Sequence, residues 1–203
     1  MSVSVIIASY GDQERWERMS RKAVASATSQ VPRPEVIRIH GATLAEARNA
    51  GAKMASGNWL CFLDCDDMLE PGYLYAMEEQ AGAYGTDSLL LYPMVRRVPS
   101  LDAGADLYPA IDLTSSNLLA RNYMVIGTLV NSHIFHMAGG FDELEAYEDW
   151  DLWLRCVYKL GCTPVAVPGA IYRALVRSDG RNMVSNPLDL CRRILAKNGL
   201  CIR

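Results

Sequence analysis

The chain lacks any run approaching the roughly 20 apolar residues that a membrane-spanning helix requires, so no integral membrane segment is expected. It lacks an excess of basic charge: Lys and Arg number 20 against 23 Asp and Glu, for a formal net charge of −3. No strongly basic field exists to attract nucleic acid. It also lacks a Cys-x-x-Cys pair among Cys61, Cys65, Cys156, Cys162, Cys191 and Cys201, which argues against structural zinc. The spread of these cysteines, several in apolar runs, suits buried thiols in a reducing compartment. The first residues, Met1-Ser2-Val3-Ser4-Val5-Ile6-Ile7, carry no basic region and stop being apolar too early for a signal peptide. Internal repeats, low-complexity segments and linkers are missing too. The expectation is one cytoplasmic domain, with peripheral membrane contact left open.

What is present is an apolar half: 50% of the 203 residues are hydrophobic, enough for a sizeable core. The most informative segment is Asp64-Cys65-Asp66-Asp67, directly after the apolar run Trp59-Leu60-Cys61-Phe62-Leu63. Such a run reads as a buried strand of a mainly parallel sheet. The acids then fall at the strand's carboxyl end, where open α/β sheets bind ligands. Three acids in four residues repel one another unless a cation or solvent screens them. Oxygen ligands of this kind suit Mg²⁺ or Mn²⁺, ions that hold substrate phosphates. The plainer alternative is an acidic turn capping the next helix, with Pro71 as its first residue.

Along the chain, residues 3–8 read as a strand and 13–29 as a helix with Trp16, Met19, Ala23 and Ala27 on one face. Residues 35–39 read as a second strand. Thr43-Leu44-Ala45-Glu46 has the capping-box form and predicts a helix start. With the strand at 58–63, the order strand, helix, strand, helix, strand, helix argues for parallel crossovers. Further strands are predicted at 88–92, 123–130, 163–167 and 170–176, a helix at 148–160 and a closing helix at 188–196. Residues 98–112 read as a loop and 177–186 as a polar, mobile one.

Taken together, five segments in order resemble the family 2 glycosyltransferases of the GT-A fold. They are Val3-Ser4-Val5-Ile6-Ile7-Ala8-Ser9-Tyr10; Ala47-Arg48-Asn49-Ala50-Gly51; 55–67 with its acids; Gly139-Gly140-Phe141-Asp142-Glu143; and Glu148-Asp149-Trp150-Asp151 with the helix it opens. The resemblance implies an α/β, Rossmann-like, mainly parallel central sheet flanked by helices, with a smaller antiparallel C-terminal part. It implies a single domain, 1–98 forming a nucleotide-binding half and 99–203 an acceptor-side half. The activity implied is metal-dependent transfer of a sugar from a nucleotide-sugar, with UDP-sugars as the default, to an acceptor hydroxyl with inversion. By the same resemblance Asp66, with Asp64, would hold Mn²⁺ or Mg²⁺. Asp149 would be the catalytic base, with Glu148 its competitor. Ala8, Ser9, Tyr10, His40, Arg48, Asp64 and Cys65 would contact the nucleotide-sugar. Asp67 could instead brace the following turn.

Read without the resemblance, Glu148 and Asp149 are acids favoured at a helix start, Arg48 is a solvated helix-face residue, and Tyr10 packs in the core. Trp150 and Trp153 share the apolar stripe and read as core, with Trp153 lining an acceptor cleft as the alternative. His133 and His136 read as packed or surface histidines. The chain also departs from the family pattern. The acid that recognises uracil after the second strand is missing; Arg38-Ile39-His40-Gly41-Ala42-Thr43 stands there, and His40 could take its place. After Tyr172-Arg173 the family's His is absent, and Arg177 or Arg181 could close over phosphate. A competing class is a non-catalytic nucleotide-sugar-binding or scaffolding module. The acceptor could be a glycan, a lipid-linked sugar, a protein or a small molecule, and a partner or second copy of the chain could help bind it.

Overall fold

Val3 to Tyr10, almost continuously apolar, forms the buried strand β1 (Val3–Tyr10) of a computed structural model that describes residues 1–85, 87–100, 118–176 and 185–201. Helix α1 (Gln13–Thr28) follows, its first turn capped by Asp12, which accepts from the Arg15 N–H at 3.0 Å. Ala23 and Ala27 are buried and Trp16 and Met19 half-buried, so the apolar face expected from helical spacing is the face that packs. Strand β2 (Glu35–Gly41) leads to α2 (Leu44–Met54). Thr43 caps α2 by accepting from the Glu46 N–H at 3.2 Å. Glu46 reaches back to the Ala42 N–H at 3.1 Å, one residue earlier than the usual box.

Strand β3 (Trp59–Asp64) ends at the acidic segment, and the short β4 (Met68–Leu69) follows it. Helix α3 (Tyr73–Tyr84) opens at Gly72 without a side-chain cap. The acids therefore do not cap it, and Pro71 lies before the cap residue rather than at the first helical position. Strand β5 (Leu89–Val98) runs past the predicted 88–92. The rest of the expected 98–112 loop lies largely outside the described residues, as does most of the 177–186 loop with Arg177 and Arg181.

The strand predicted at 123–130 is the main correction. Only Leu129–Asn131 is strand (β6), and it runs straight into α4 (Ser132–Met137), a helix the sequence reading did not contain. Residues before β6 turn instead, with the Thr128 N–H donating to Val125 O at 3.0 Å. The turn lets Gly127 press against the core: a Cβ there would sit 2.3 Å from the Tyr172 ring. Its carbonyl also accepts from the Tyr73 hydroxyl at 2.7 Å. Gly127→Ala is expected to destabilise by about 1–3 kcal/mol, the range for overpacking a closed core. Urea unfolding of the variant beside wild type measures it.

Helix α5 (Glu148–Tyr158), strand β7 (Thr163–Leu175) and helix α6 (Pro187–Lys197) complete the chain. The two strands expected at 163–167 and 170–176 are one, broken by a register shift opposite Pro93 and Met94. The seven strands form one sheet in the order β2-β1-β3-β6-β5-β7-β4. β1 pairs parallel with β2 and β3, and β5 with β7; β6 pairs antiparallel with β3 and β5, as does β4 with β7. The sheet is thus α/β but mixed. β4 and β5 belong to the first half of the sequence yet pair with β7 from the second. Cys61, Cys65, Cys156 and Cys162 are buried free thiols. Among the described residues no helix is long and apolar enough to cross a membrane.

Candidate active site

The parallel registers bring three strand ends together: Ala8 lies opposite both Ile39 and Asp64, and Ser9 opposite His40. Ser9 Oγ and His40 Nδ1 are 3.0 Å apart. Ser9, His40, Arg38, Trp16 and Cys65 line an open cavity of about 280 Å³ at these ends. Ala8 is buried and Tyr10 half-buried at the same edge. Burial pushes the Cys65 thiol up, helped by the neighbouring acids, so it stays protonated.

The second cluster centres on Arg48 in α2. Its guanidinium donates to Asp64 Oδ1 at 2.5 Å and to Glu148 Oε1 at 2.6 Å. The Arg48 side chain is 3% exposed, Glu148 10% and Asp64 34%, so the fork joins one buried and one partly open carboxylate. Burial opposes the charge on Arg48, but the two carboxylates more than offset it and hold its proton more tightly than usual. A planar guanidinium suits this double role. The solvated-Arg alternative is therefore excluded. The rest of the Ala47-Arg48-Asn49-Ala50-Gly51 motif is explained by contact. Asn49 accepts from the Phe141 N–H and donates to the Phe141 carbonyl, both at 2.8 Å. Gly51 packs α2 on β1, where a Cβ would meet Ile6 at 2.5 Å. Gly140, at φ +73°, lets the backbone pass beside Asn49. Arg48 also lies 5.1 Å over the Phe141 ring. Two motifs some ninety residues apart therefore clasp each other.

Asp149 follows Glu148 at the start of α5 and is half-buried. Its Oδ1 accepts from Asn122 Nδ2 at 3.0 Å and from the Trp150 N–H at 2.7 Å. Burial, joined by the Glu148 charge, pushes its carboxyl up from an ordinary 3.8 to about 7. The Trp150 N–H, Arg48 and Asn122 pull the other way without reversing the shift. The helix start alone would have lowered the value; desolvation wins. Tyr147, just before the pair, holds φ at +60°, a left-handed conformation costing a non-glycine residue about 1–2 kcal/mol.

Asp66 lies half-buried in the β3–β4 turn. Asp67 is 7% exposed and turns inward. It accepts from the Tyr172 hydroxyl at 2.8 Å and the Leu175 N–H at 2.7 Å, bracing the turn against β7. Burial, then the charges of Asp64 and Asp66, hold its carboxyl well above the usual range. Tyr172, which also accepts from the Asp64 N–H at 3.2 Å, was missed as a site residue, as was Asn122. The Tyr172-Arg173 pair carried the available signal for the first. Trp150 and Trp153 are core: Trp150 Nε1 donates to Leu118 O and Trp153 Nε1 to Met124 O, at 2.8 and 3.1 Å.

The sheet order, the acidic turn at a strand end and the acid pair opening a later helix define an α/β domain of the GT-A kind. The sequence profile described as Glycosyl transferase family 2 matches residues 4–123, and the chain belongs to that family. No curated protein sequence matches it. In structure it is similar to S. aureus TarS 1-349 in complex with UDP-GlcNAc, at 14% identity and TM-score 0.71, over 97% of this chain and 66% of that one. It is similar also to GalNAc-T7 with UDP, GalNAc and Mn²⁺, at 15% identity and TM-score 0.67, over 97% of this chain and 48% of that one. These likenesses establish the fold. The chain spans less than two thirds of either solved protein.

Proposed function

We propose that the protein transfers a sugar from a nucleotide-sugar, a UDP-sugar by preference, to an acceptor hydroxyl with inversion. The observation that carries this reading is Arg48 tying the strand-end acid Asp64 to Glu148, directly beside an Asp149 that is tuned to accept a proton. The UDP-GlcNAc and UDP complexes of the structural neighbours support the choice of donor.

In this reading the nucleoside seats against Ser9 and His40, and the diphosphate reaches the β3 end. Asp66 and Asp64 are the residues to hold Mn²⁺ or Mg²⁺ there. Among the described residues no group of three His, Cys, Asp or Glu side chains forms a complete cation site. The donor set nevertheless fits a hard cation that takes one or two carboxylates and completes its shell with phosphate oxygens and water. Such an ion, when bound, stabilises negative charge on the departing diphosphate. Asp149 takes the acceptor hydroxyl's proton as that oxygen bonds to the anomeric carbon. The bond from carbon to phosphate oxygen breaks, and its electron pair leaves with the nucleoside diphosphate. One displacement inverts the centre. Glu148 is committed to Arg48, which leaves Asp149 as base. A cytoplasmic location belongs to the same reading.

Incubation with a panel of nucleotide-sugars and Mn²⁺ should release nucleoside diphosphate from at least one. Binding without release for every donor and acceptor supplied would indicate a binding module instead. Asp66→Ala should weaken Mn²⁺-dependent donor binding by more than the about 10–100-fold typical of losing an outer-shell partner, with its melting temperature unchanged. Calorimetry with UDP and Mn²⁺ reads this, and wild-type affinity in the variant would reject the metal assignment.

A further inference from the structure

Asn122 belongs to none of the motifs that mark the family, yet it is the side chain that meets Asp149 from outside helix α5. Its Nδ2 donates to Asp149 Oδ1 at 3.0 Å. Two indoles from α5 itself hold the chain on either side of it. Trp150 Nε1 bonds Leu118 O, four residues before Asn122, and Trp153 Nε1 bonds Met124 O, two residues after. Both indoles are almost wholly buried, at 2% and 0% exposure. The helix that carries the acid therefore also carries the clamp for the amide facing it.

A second observation sets Asn122 apart. Its Oδ1 is buried and has no hydrogen-bond partner among the described residues. Leaving a carbonyl unpaired is unfavourable, so a purely structural amide at this place is poorly explained. The arrangement is explained if the orientation of Nδ2 toward the carboxylate is what matters. The other groups acting on Asp149 are Glu148 beside it, Arg48 from α2 and the Trp150 N–H; the Tyr147 hydroxyl at the helix cap feels the Asp149 charge in turn. Glu148 favours the protonated acid; Arg48, the Trp150 N–H and Asn122 favour the carboxylate. Of these, only Asn122 donates from a side chain outside the helix that could be changed without disturbing the Arg48 fork.

We propose that Asn122 is a positioning residue: its clamped amide fixes the Asp149 carboxylate in one orientation and favours its ionised form. A hydrogen bond donated to a carboxylate stabilises the charged state selectively. Asn122 thereby opposes the desolvation that burial imposes and keeps the base ionised near neutral pH. The kinetic consequence rests on the reading of Asp149 as the base; the electrostatic one does not.

The direct test is a titration of the Asp149 carboxyl carbon by NMR, on protein labelled at aspartate and assigned by the signal lost in Asp149→Asn. Asn122→Ala and Asn122→Leu, the second close in size but without a donor, should raise the midpoint by about one unit, a tenfold gain in proton affinity. Asn122→Asp, which puts a second carboxylate there, should raise it further. An unmoved midpoint in the folded variants overturns the proposal. A parallel measurement follows UDP release from UDP-GlcNAc with Mn²⁺ against pH. The acid limb should move to higher pH in the Ala and Leu variants, with the rate recovering toward wild type on the alkaline side. A loss equal at every pH would mark a structural role and equally overturn it. Full release by Asp149→Asn would instead reject the base assignment, leaving the titration result to stand or fall separately.

Discussion

Asp149→Asn should keep donor binding and lose transfer by about 10²–10⁴-fold, the range for removing a general base. The substitution preserves shape, and the new amide oxygen can still accept from Asn122 and the Trp150 N–H. What it removes is the carboxylate that, in the proposed mechanism, takes the acceptor proton. Wild-type rates should fall as pH drops through about 7, where the carboxyl becomes protonated; in the variant this limb should vanish. Stability should move in the opposite sense. A carboxyl near 3.8 when unfolded and about 7 when folded binds more protons in the native state between those values. Native stability therefore declines as pH rises across that window, and the penalty is complete above it. Asp149→Asn should melt higher than wild type at pH 8, with the gain disappearing near pH 4. Nucleoside diphosphate release and a melting series against pH are the two measurements. Unaltered turnover would move the base elsewhere, first to Glu148.

Arg48→Ala should be the most destabilising single change, at about 3–5 kcal/mol, the cost of stripping one partner from a buried ion pair. The substitution leaves Glu148, almost enclosed, without its guanidinium, and frees Asp64 from the fork. Part of the loss comes from the contact of Arg48 with the Phe141 ring. Arg48→Lys should lose less but still fail to restore function, because an ammonium cannot serve two carboxylates in fixed directions. Urea unfolding gives the stability and nucleotide binding gives the site. If Arg48→Ala unfolds within 1 kcal/mol of wild type, roughly the worth of an exposed pair, the fork is not the brace described.

How far the sequence foretold this site depended on distance along the chain. β1 and β3 were readable because both are continuous apolar runs with turn residues beyond. α2 was readable because Thr43 and Glu46 cap it locally. The 123–130 segment misled because it is apolar and β-branched, while its backbone turns to seat Gly127 under Tyr172, whose strand lies some forty residues later. α4 stayed hidden because six residues are too few for helical spacing to show. Arg48 and Glu148 were each picked out by resemblance, yet their bond spans 100 positions and no local pattern announces it. The inward turn of Asp67 toward Tyr172 has the same origin. Asn122 was invisible because the indoles that hold the backbone on either side of it come from a helix some thirty residues later.

The pairing of β5 with β7 runs from Leu89 opposite Thr163 to Val98 opposite Leu175. A strand from early in the chain is thus zipped to one from late in it along its whole length. Among the described residues this pairing joins the earlier and later parts of the chain in one sheet. Under the proposed function, a nucleotide would then reach its seat at the strand ends over the rim of this one sheet.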